Sequence, residues 1–544
     1  MNGTKKFDCG CEFPLDENGR VVFDSDVEKI NLDCPRIWEL LGTGRTTGIF
    51  QLESRLGSSF AKKLKPENID QVSGLIAAIR PGALDSIIDG KSITQHYVNR
   101  KNKEEEVSYY HPALEEILKD TYGLLIYQEQ ALFIASKLAG FTLIQADLLR
   151  RAIGKKKPEE MAKVKEQFLE GCKTVGLVTD EEATEIFGMI EKSQRYSFNK
   201  SHSVSYSMNA LLTCYVKCHW PHEFFTSSLH YSHNKPKPFE EIRALVSDLR
   251  SFNIPIKPPL LYNLNKNFKL IDDTIFFGLT NIKGVGNSVY NKLQKTLKTQ
   301  AIKLDKQFCD QFNWPELLFF ILPNITSTAV KAMIDVGCLS YFRLDRKQMK
   351  YEYEKYCLLS DKEQEWVQRN YDKYKWTTLL DCINTLIQLP TGKMGACANK
   401  KRQNLMEEIS LSLKNPSYSL KDGIVYVAEV EESLLGAPIS YTTVESCDIE
   451  SANIVCSEFN KGVRKNLYFL ACQIDRKHEI TTKNHKKMCF LTCSDISGSI
   501  DSVVVFPEPY AQHRPFLYDK NNIMLVGERG KDKGSFIVKK IYQL

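Results

Sequence analysis

Arg150 and Arg151, followed by Lys155, Lys156 and Lys157, place five fixed positive charges within eight residues. Guanidinium forks and flexible ammonium groups at that density suit a polyanion, either a triphosphate or a nucleic-acid backbone. A structural reading stands beside it. Arginines near a helix C-terminus complement the helix dipole, and Glu159 and Glu160 could pair with the lysines. Lys200 and His202 stand together in Phe198-Asn-Lys-Ser-His202. By pattern alone Tyr122 and Tyr127 read as core aromatics, and His202 as a satisfied core histidine. A further phosphate-binding pattern runs from Phe277 to Lys292, a helix-hairpin-helix signature. There Lys283, Gly284 and Gly286 mark a turn whose bare N–H groups, at the start of the next helix, can hold a DNA phosphate. Such contacts position a duplex without reading its sequence.

The thiols and carboxylates are harder to place. Sixteen cysteines are scattered without the dense spacing of a secreted disulfide scaffold, which implies reduced thiols and a cytosolic protein. Cys9, Cys11 and Cys34 could supply three zinc ligands. No CxxC pair and no fourth ligand at finger spacing accompanies them, so no metal site is assigned. Cys214 and Cys218 fall on one helical face, where buried cysteines behave as small apolar groups. Asp24-Ser-Asp26 has the spacing of a metal-holding carboxylate pair, but aspartates at a strand end are common turn formers. No catalytic carboxylate is assigned.

The elements that must position these groups are legible in part. At 544 residues the chain should hold roughly three to five domains. No window approaches the ~18 apolar residues of a membrane span, and a membrane partner is not expected. Net charge is +6, yet residues 461–544 hold fifteen Lys/Arg against eight Asp/Glu, whereas the first 54 hold six against ten. A basic C-terminal module suggests a nucleic-acid surface, although a charge run also reads as a solvated face. Val21-Val-Phe23 alternates weakly, and helix begins near Ile37. Pro66-Glu-Asn-Ile-Asp70 predicts a helix start, with the proline at an early position. Arg80-Pro-Gly82 breaks that segment. Thr142-Leu-Ile-Gln145 and Thr179-Asp-Glu-Glu182 have capping-box spacing. The first opens a helix expected to stop at Gly154, and the second opens one with Ala183, Ile186, Phe187 and Ile190 on its apolar face. A helix over 159–172 should end near Gly171. Residues 300–420 are helical again. From about 424 the pattern turns to β. Five short strands, at 468–473, 488–492, 500–506, 523–526 and 536–538, suit an OB-type barrel.

Seven segments occur in the order of one family: Thr47-Gly-Ile-Phe-Gln-Leu-Glu-Ser54, Arg80-Pro-Gly82, His111-Pro-Ala-Leu-Glu115, Tyr122–Gln130, Ala146–Pro158, Phe198–His202 and Lys217-Cys-His-Trp-Pro221. Through them the chain resembles the fingers of C-family replicative DNA polymerases, the bacterial DNA polymerase III alpha subunit and its relatives. The resemblance implies a multidomain α+β protein with a helical fingers domain, a helical domain containing the helix-hairpin-helix, and a C-terminal OB-fold β-barrel. Its expected parts are a lead-in at 1–40, fingers at 41–235, a duplex-binding region at 236–300, a helical domain at 301–423, and connector plus OB module at 424–544. It implies that Arg150, Arg151, Lys155 and Lys156 grip the incoming dNTP, with Lys200 and His202 lining the same cleft. Tyr122, Tyr127 and Gln128 would lie near the nascent base pair. Lys283, Gly284 and Gly286 would meet duplex DNA, and Arg476, Lys483, Lys486 and Lys487 a single strand. Tyr468, Phe490 and Phe506 are possible stacking groups or barrel core.

The sequence departs from that family's pattern before residue 40, where a palm with its Asp-x-Asp strand would be expected. Lys6-Phe-Asp8 is similar only faintly to the segment carrying the palm's third aspartate. The expectation is one part of a split DNA polymerase, with Mg2+ held mainly by a separate palm-bearing chain, in the manner of bacteriophage replication genes. Primer-template DNA would be the substrate partner, and the bacterial cytoplasm the location. A sliding clamp is a further partner of such enzymes, although Gln307–Phe312 matches a clamp-binding motif poorly. The alternative is a non-catalytic DNA-binding accessory protein derived from a polymerase.

Overall fold

The computed structural model describes residues 3–26, 29–155, 158–193, 196–306, 312–392, 397–482, 484–530 and 534–544, with backbone alone at 143, 150, 152–155 and 158–161. Two compact units divide the chain, Met1–Pro221 and His222–Leu544.

The first unit opens with the hairpin β1 (Thr4–Lys6) and β2 (Glu12–Pro14), paired antiparallel with Thr4 opposite Pro14. Val21 makes only an isolated bridge to Leu15, so the weak alternation there does not become a strand. Helices follow: α1 (Pro35–Thr43), α2 (Arg55–Leu64) and α3 (Ile69–Ala78). The cap of α3 is Asn68, whose side chain accepts from the Gln71 N–H, and Pro66 lies outside the helix. An Asx cap satisfies an orphan amide and so sets the start more firmly than proline does. Arg80-Pro-Gly82 does break the run, and Pro81 opens the short α4 (Pro81–Asp85). The strand pair β3 (Ile87–Ile88) and β4 (Lys91–Ser92) leads into α5 (Ile93–Lys101) and the single turn α6 (Glu115–Leu118).

Four helices then build one apolar cluster: α7 (Gln128–Ala139), α8 (Leu143–Lys155), α9 (Pro158–Val175) and α10 (Asp180–Ser193). Both capping boxes form. Gln145 N–H donates to Thr142 Oγ1 at 3.4 Å and Glu182 N–H to Thr179 Oγ1 at 3.2 Å. Ala183, Ile186, Phe187 and Ile190 are all buried, as their spacing predicts. Helix α8 runs to Lys155, one residue past the expected stop at Gly154, whereas Gly171, expected to end α9, lies within it. The role of Gly171 is close approach, because a Cβ there would fall 2.2 Å from the Ala139 carbonyl oxygen. The unit closes with α11 (Lys200–His219), which packs on the almost wholly buried α3.

The second unit has a small three-stranded sheet of β5 (Ile256–Lys257), β6 (Lys269–Ile271) and β7 (Thr274–Phe276), in the order β5-β7-β6. Helices dominate from Asn287 to Leu435. Residues 424–435, read as the onset of β structure, are helical. Glu431 explains why this helix is fixed, since its fully buried carboxylate pairs with Arg346 at 2.8 Å and accepts from the Ile439 and Ser440 amides. A buried carboxylate is tolerated only when paired and hydrogen-bonded. Strands β8 (Tyr468–Thr481), β9 (Lys487–Asp495), β10 (Gly498–Val505), β11 (Asn522–Arg529) and β12 (Phe536–Gln543) close into a barrel in the order β8-β9-β10-β12-β11. Within the barrel, β10 and β12 pair in parallel. All five expected strands exist, and most are longer than their apolar cores. Among the described residues no helix is long and apolar enough to cross a membrane.

Gly171→Ala should force α7 and α9 apart and cost about 1–3 kcal/mol, the usual range for overpacking. Urea unfolding of the variant against the parent measures it.

Candidate functional site

The cationic residues of α11 are positioned by the loop before α7. Phe198 donates its N–H to the Ile126 carbonyl and accepts from the Gln128 N–H, both at 2.9 Å, so two distant segments are tied backbone to backbone. Asn199 caps α11 by accepting from the His202 N–H at 2.8 Å. Glu129 holds the same turn, accepting from Asn199 Nδ2 at 2.7 Å and from the Lys200 N–H at 2.9 Å. Lys200 Nζ lies 5.6 Å from the centroid of the Tyr127 ring. The exposed His202 ring packs tilted against Tyr206 at 4.1 Å, and Tyr206 in turn meets Phe50 at 5.1 Å. Tyr127, Gln128, Lys200 and His202 are thus brought together.

Arg80 joins this group without having been assigned a role from sequence. Its guanidinium sits 3.9 Å over the Phe198 ring, and its buried Nε has no hydrogen-bond partner. A guanidinium stacked on one face keeps its in-plane donors aimed outward, which is how arginine presents to phosphate. The signal was present in Arg80-Pro-Gly82, read only as a helix breaker and a family marker.

The aromatic positions separate. Tyr127 is buried, its hydroxyl donates to Ser73 Oγ at 2.8 Å, and burial pushes its phenol well above the usual range. Its hydroxyl is therefore committed to the core. Tyr122 is half-buried with φ +54°, a left-handed conformation unusual for a non-glycine residue. It is held from both ends, since Gln71 Nε2 donates to its hydroxyl at 3.2 Å and Arg100 to its carbonyl at 3.0 Å. Arg100 is itself fixed by Glu105, which also receives His96 and Lys91. Burial opposes ionisation of Glu105, but those three cationic or ring donors outweigh it and hold the carboxyl down to about 2. Gln128 is half-buried, with Nε2 directed at the Ser197 carbonyl at 3.4 Å.

The arginine–lysine cluster is described incompletely. Arg151 is an exposed side chain on α8, paired with Asp147 at 2.7 Å one turn back. Arg150 and Lys155 lie on the same helix with side chains outside the described atoms, and Lys156 lies outside the described residues.

In the second unit the pattern at Lys283–Gly286 forms a turn followed by a helix, Asn287–Lys303. What precedes it is a single 3-10 turn, Leu279–Asn281, and not a full helix. Gly284 has φ +92°, and Lys283, Gly284 and Gly286 are all exposed while Ile282 and Val285 anchor the turn in the core. On the barrel, Arg476, Lys486 and Lys487 are exposed, and Lys487 pairs with Glu479 at 2.7 Å. Lys483 lies outside the described residues, as does Gln307–Asp310–Gln311 of the weak clamp-binding motif. Tyr468 is barrel core, Phe490 is half-buried and Phe506 is exposed.

The early carboxylates are engaged locally. Asp24 accepts from the Asp26 N–H at 3.0 Å and pairs with Lys29 at 2.6 Å, and Asp8 pairs with Arg36. Asp24 thus closes a local turn. The one grouping of three or more metal-capable donors among the described residues is Cys9, Cys11, Cys34 and His219. The fourth donor, absent at finger spacing, comes from the far end of α11.

The first unit is mostly helical, and the second ends in a closed five-stranded barrel. Comparison with known proteins adds the following. Residues 16–176 match the bacterial DNA polymerase III alpha subunit finger domain. The chain is 31% identical to DNA polymerase III subunit alpha of Thermus aquaticus over 94% of its own length and 39% of that protein. It is 29% identical to the Bacillus subtilis subunit over 94% of itself and 42% of that protein. For Aquifex aeolicus the figures are 36% identity over 60% of this chain and 27% of that protein. The chain is thus similar to part of these polymerase III alpha subunits, and it spans 27–42% of the length of these three relatives.

Glu105→Gln should destabilise the first unit by roughly 2 kcal/mol at neutral pH. The carboxyl lies below its usual 4.5, so its contribution is present above about 4.5 and lost as pH falls toward about 2. Thermal unfolding of parent and variant should accordingly differ at pH 6–7 and converge toward about pH 2.

Proposed function

We propose that this chain supplies the fingers, the duplex contacts and a single-strand-binding module of a C-family DNA polymerase acting in replication. The observation that carries this is the packing of Arg80 and His202 against Phe198, with Lys200 over Tyr127, in a unit whose residues 16–176 match the polymerase finger domain. Nucleotidyl transfer is mostly positioning and positive charge, since negative charge builds on the leaving pyrophosphate. Arg80 and Lys200 offer that charge on a rigid support with His202 as a ring donor beside them, and Arg150, Arg151, Lys155 and Lys156 would add to it. They bind and orient the dNTP triphosphate. The Mg2+ ions and the aspartates that hold them are assigned to a palm outside these 544 residues, on a partner chain or elsewhere in a longer polypeptide.

The barrel order, with β10 and β12 parallel and a helix at Pro507–His513 between β10 and β11, supports an OB reading. Arg476, Lys483, Lys486 and Lys487 would track a single strand there, with exposed Phe506 as the stacking residue. Lys283, Gly284 and Gly286 present exposed backbone at the start of Asn287–Lys303, which favours a duplex phosphate even though the preceding helix is a single turn.

Primer extension tests the reading, with the chain alone and with a palm-bearing polypeptide supplied. Extension should require the palm. In the complete enzyme Arg151→Ala should lower extension at sub-saturating dNTP by roughly 10²-fold, with primer-template affinity nearly unchanged. Unchanged extension would remove α8 from the dNTP site and leave a DNA-binding accessory protein as the better description. Lys486→Glu combined with Lys487→Glu should weaken single-strand binding and lower the salt slope by about 1–2. Fluorescence anisotropy across a salt series reads both.

A further inference from the structure

Four soft donors from three separate stretches of chain converge at the base of α11. Cys9 and Cys11 come from the turn between β1 and β2, where the Phe7 N–H donates to the Cys11 carbonyl at 2.9 Å. Gly10 between them has φ +82°, which a residue with a Cβ rarely adopts, and this brings both thiols to one side. Cys34 is the N-cap residue of α1, directly before Pro35. His219 is the last residue of α11. The four ligand atoms all lie within 4.8 Å of one another.

We propose that Cys9, Cys11, Cys34 and His219 bind one zinc ion in a closed Cys3His site. His219 Nε2 stands 3.3 Å from Cys9 Sγ and 3.8 Å from Cys34 Sγ. A tetrahedral ion with Zn–S near 2.3 Å and Zn–N near 2.0–2.1 Å sets sulfur and nitrogen about 3.5 Å apart. The other ring nitrogen, Nδ1, lies 3.0 Å from the Tyr215 carbonyl and donates to it, which leaves the Nε2 lone pair facing the sulfurs. Asn31 Nδ2 points at Cys11 Sγ from 3.7 Å, an outer hydrogen bond of the kind that steadies a metal-bound thiolate.

Three thiolates and an imidazole select zinc over the hard, oxygen-seeking magnesium of polymerase chemistry. All four positions are filled by protein, so the ion would hold structure and leave no place for substrate. Cys11, Cys34 and His219 are buried, and Phe7, Phe13 and Trp220 surround the imidazole at 5.1, 5.6 and 5.6 Å. Arg36, ion-paired with Asp8 beside Phe7, offers a compensating charge to the net anionic centre. On binding, three S–H bonds give up protons to solvent and three Zn–S bonds form, with no change of oxidation state. The ion would fasten residues 185 positions apart and so tie the N-terminal hairpin to the helix whose opposite end carries Lys200 and His202.

Metal analysis of the full chain, purified without chelator, tests this. About one zinc per chain is expected. Cobalt exchanged into the site should give the intense visible bands of a tetrahedral ion and a sulfur-to-cobalt charge-transfer band. Cys9→Ser and Cys34→Ser should abolish both, and chelation of the parent should lower its melting temperature. His219→Cys guards against a variant that merely unfolds, since it should retain the metal with a shifted cobalt spectrum. Cys218→Ser, whose sulfur lies on the Nδ1 side of the ring, should retain metal and spectrum unchanged. A folded chain with less than about a tenth of an equivalent of zinc and no cobalt bands would overturn the proposal. So would a disulfide among Cys9, Cys11 and Cys34 in the purified protein, found by mass spectrometry, or loss of the metal in Cys218→Ser.

Discussion

The ammonium group of Lys217, with no solvent exposure, donates to the carbonyl oxygens of Arg45 and Thr47 at 2.8 and 2.7 Å. A buried cation survives only where oxygen acceptors replace its lost water, so the loop before α2 and the end of α11 cannot move independently. This clamp fixes the lower half of α11 against residues that are far away in sequence. At the upper end, the Asn199 cap and the Glu129 carboxylate do the same for the turn that presents Lys200 and His202. The first unit is organised around one helix gripped at both ends.

With α11 fixed, the aromatic and cationic groups follow. The two backbone hydrogen bonds of Phe198 dock the start of α11 on the segment before α7, which places Lys200 over Tyr127. Phe198 then offers its ring to Arg80 and its edge to His202. Tyr127 is buried beneath this layer and serves as its support. Glu105 acts at one remove, through Arg100, on the left-handed Tyr122. Rigid placement of this kind fixes the direction in which each side chain presents its charge or ring.

The second unit solves a different problem. Its barrel has no free edge, so its strands can carry basic residues outward while alternate positions fill a core that includes Tyr468, Phe459 and Phe536. The helix Ile424–Leu435 and the segment after it are held by the Glu431 carboxylate, which receives Arg346 and the Ile439 and Ser440 amides together. A buried ion pair with its remaining lone pairs satisfied defines one arrangement of that connector sharply.

Local chemistry was legible in the sequence because its causes are local. The boxes at Thr142 and Thr179, the apolar face of α10 and the five barrel strands all depend on residues within a few positions of one another. So did the order of the polymerase-like segments and the cationic character of Arg151, Lys200 and His202. Tertiary contact decided the rest. Gly171 stops nothing and instead admits the Ala139 carbonyl, and residues 424–435 are helical around a carboxylate whose partner is Arg346. Tyr127 and Phe506 look alike as aromatics, yet one is core and the other exposed. Cys9, Cys11 and Cys34 lacked a fourth donor within reach of any spacing rule, because His219 arrives from 185 residues beyond Cys34. Spacing along a chain reports neighbours on one element, whereas a cluster drawn from three elements exists only once packing has brought them together.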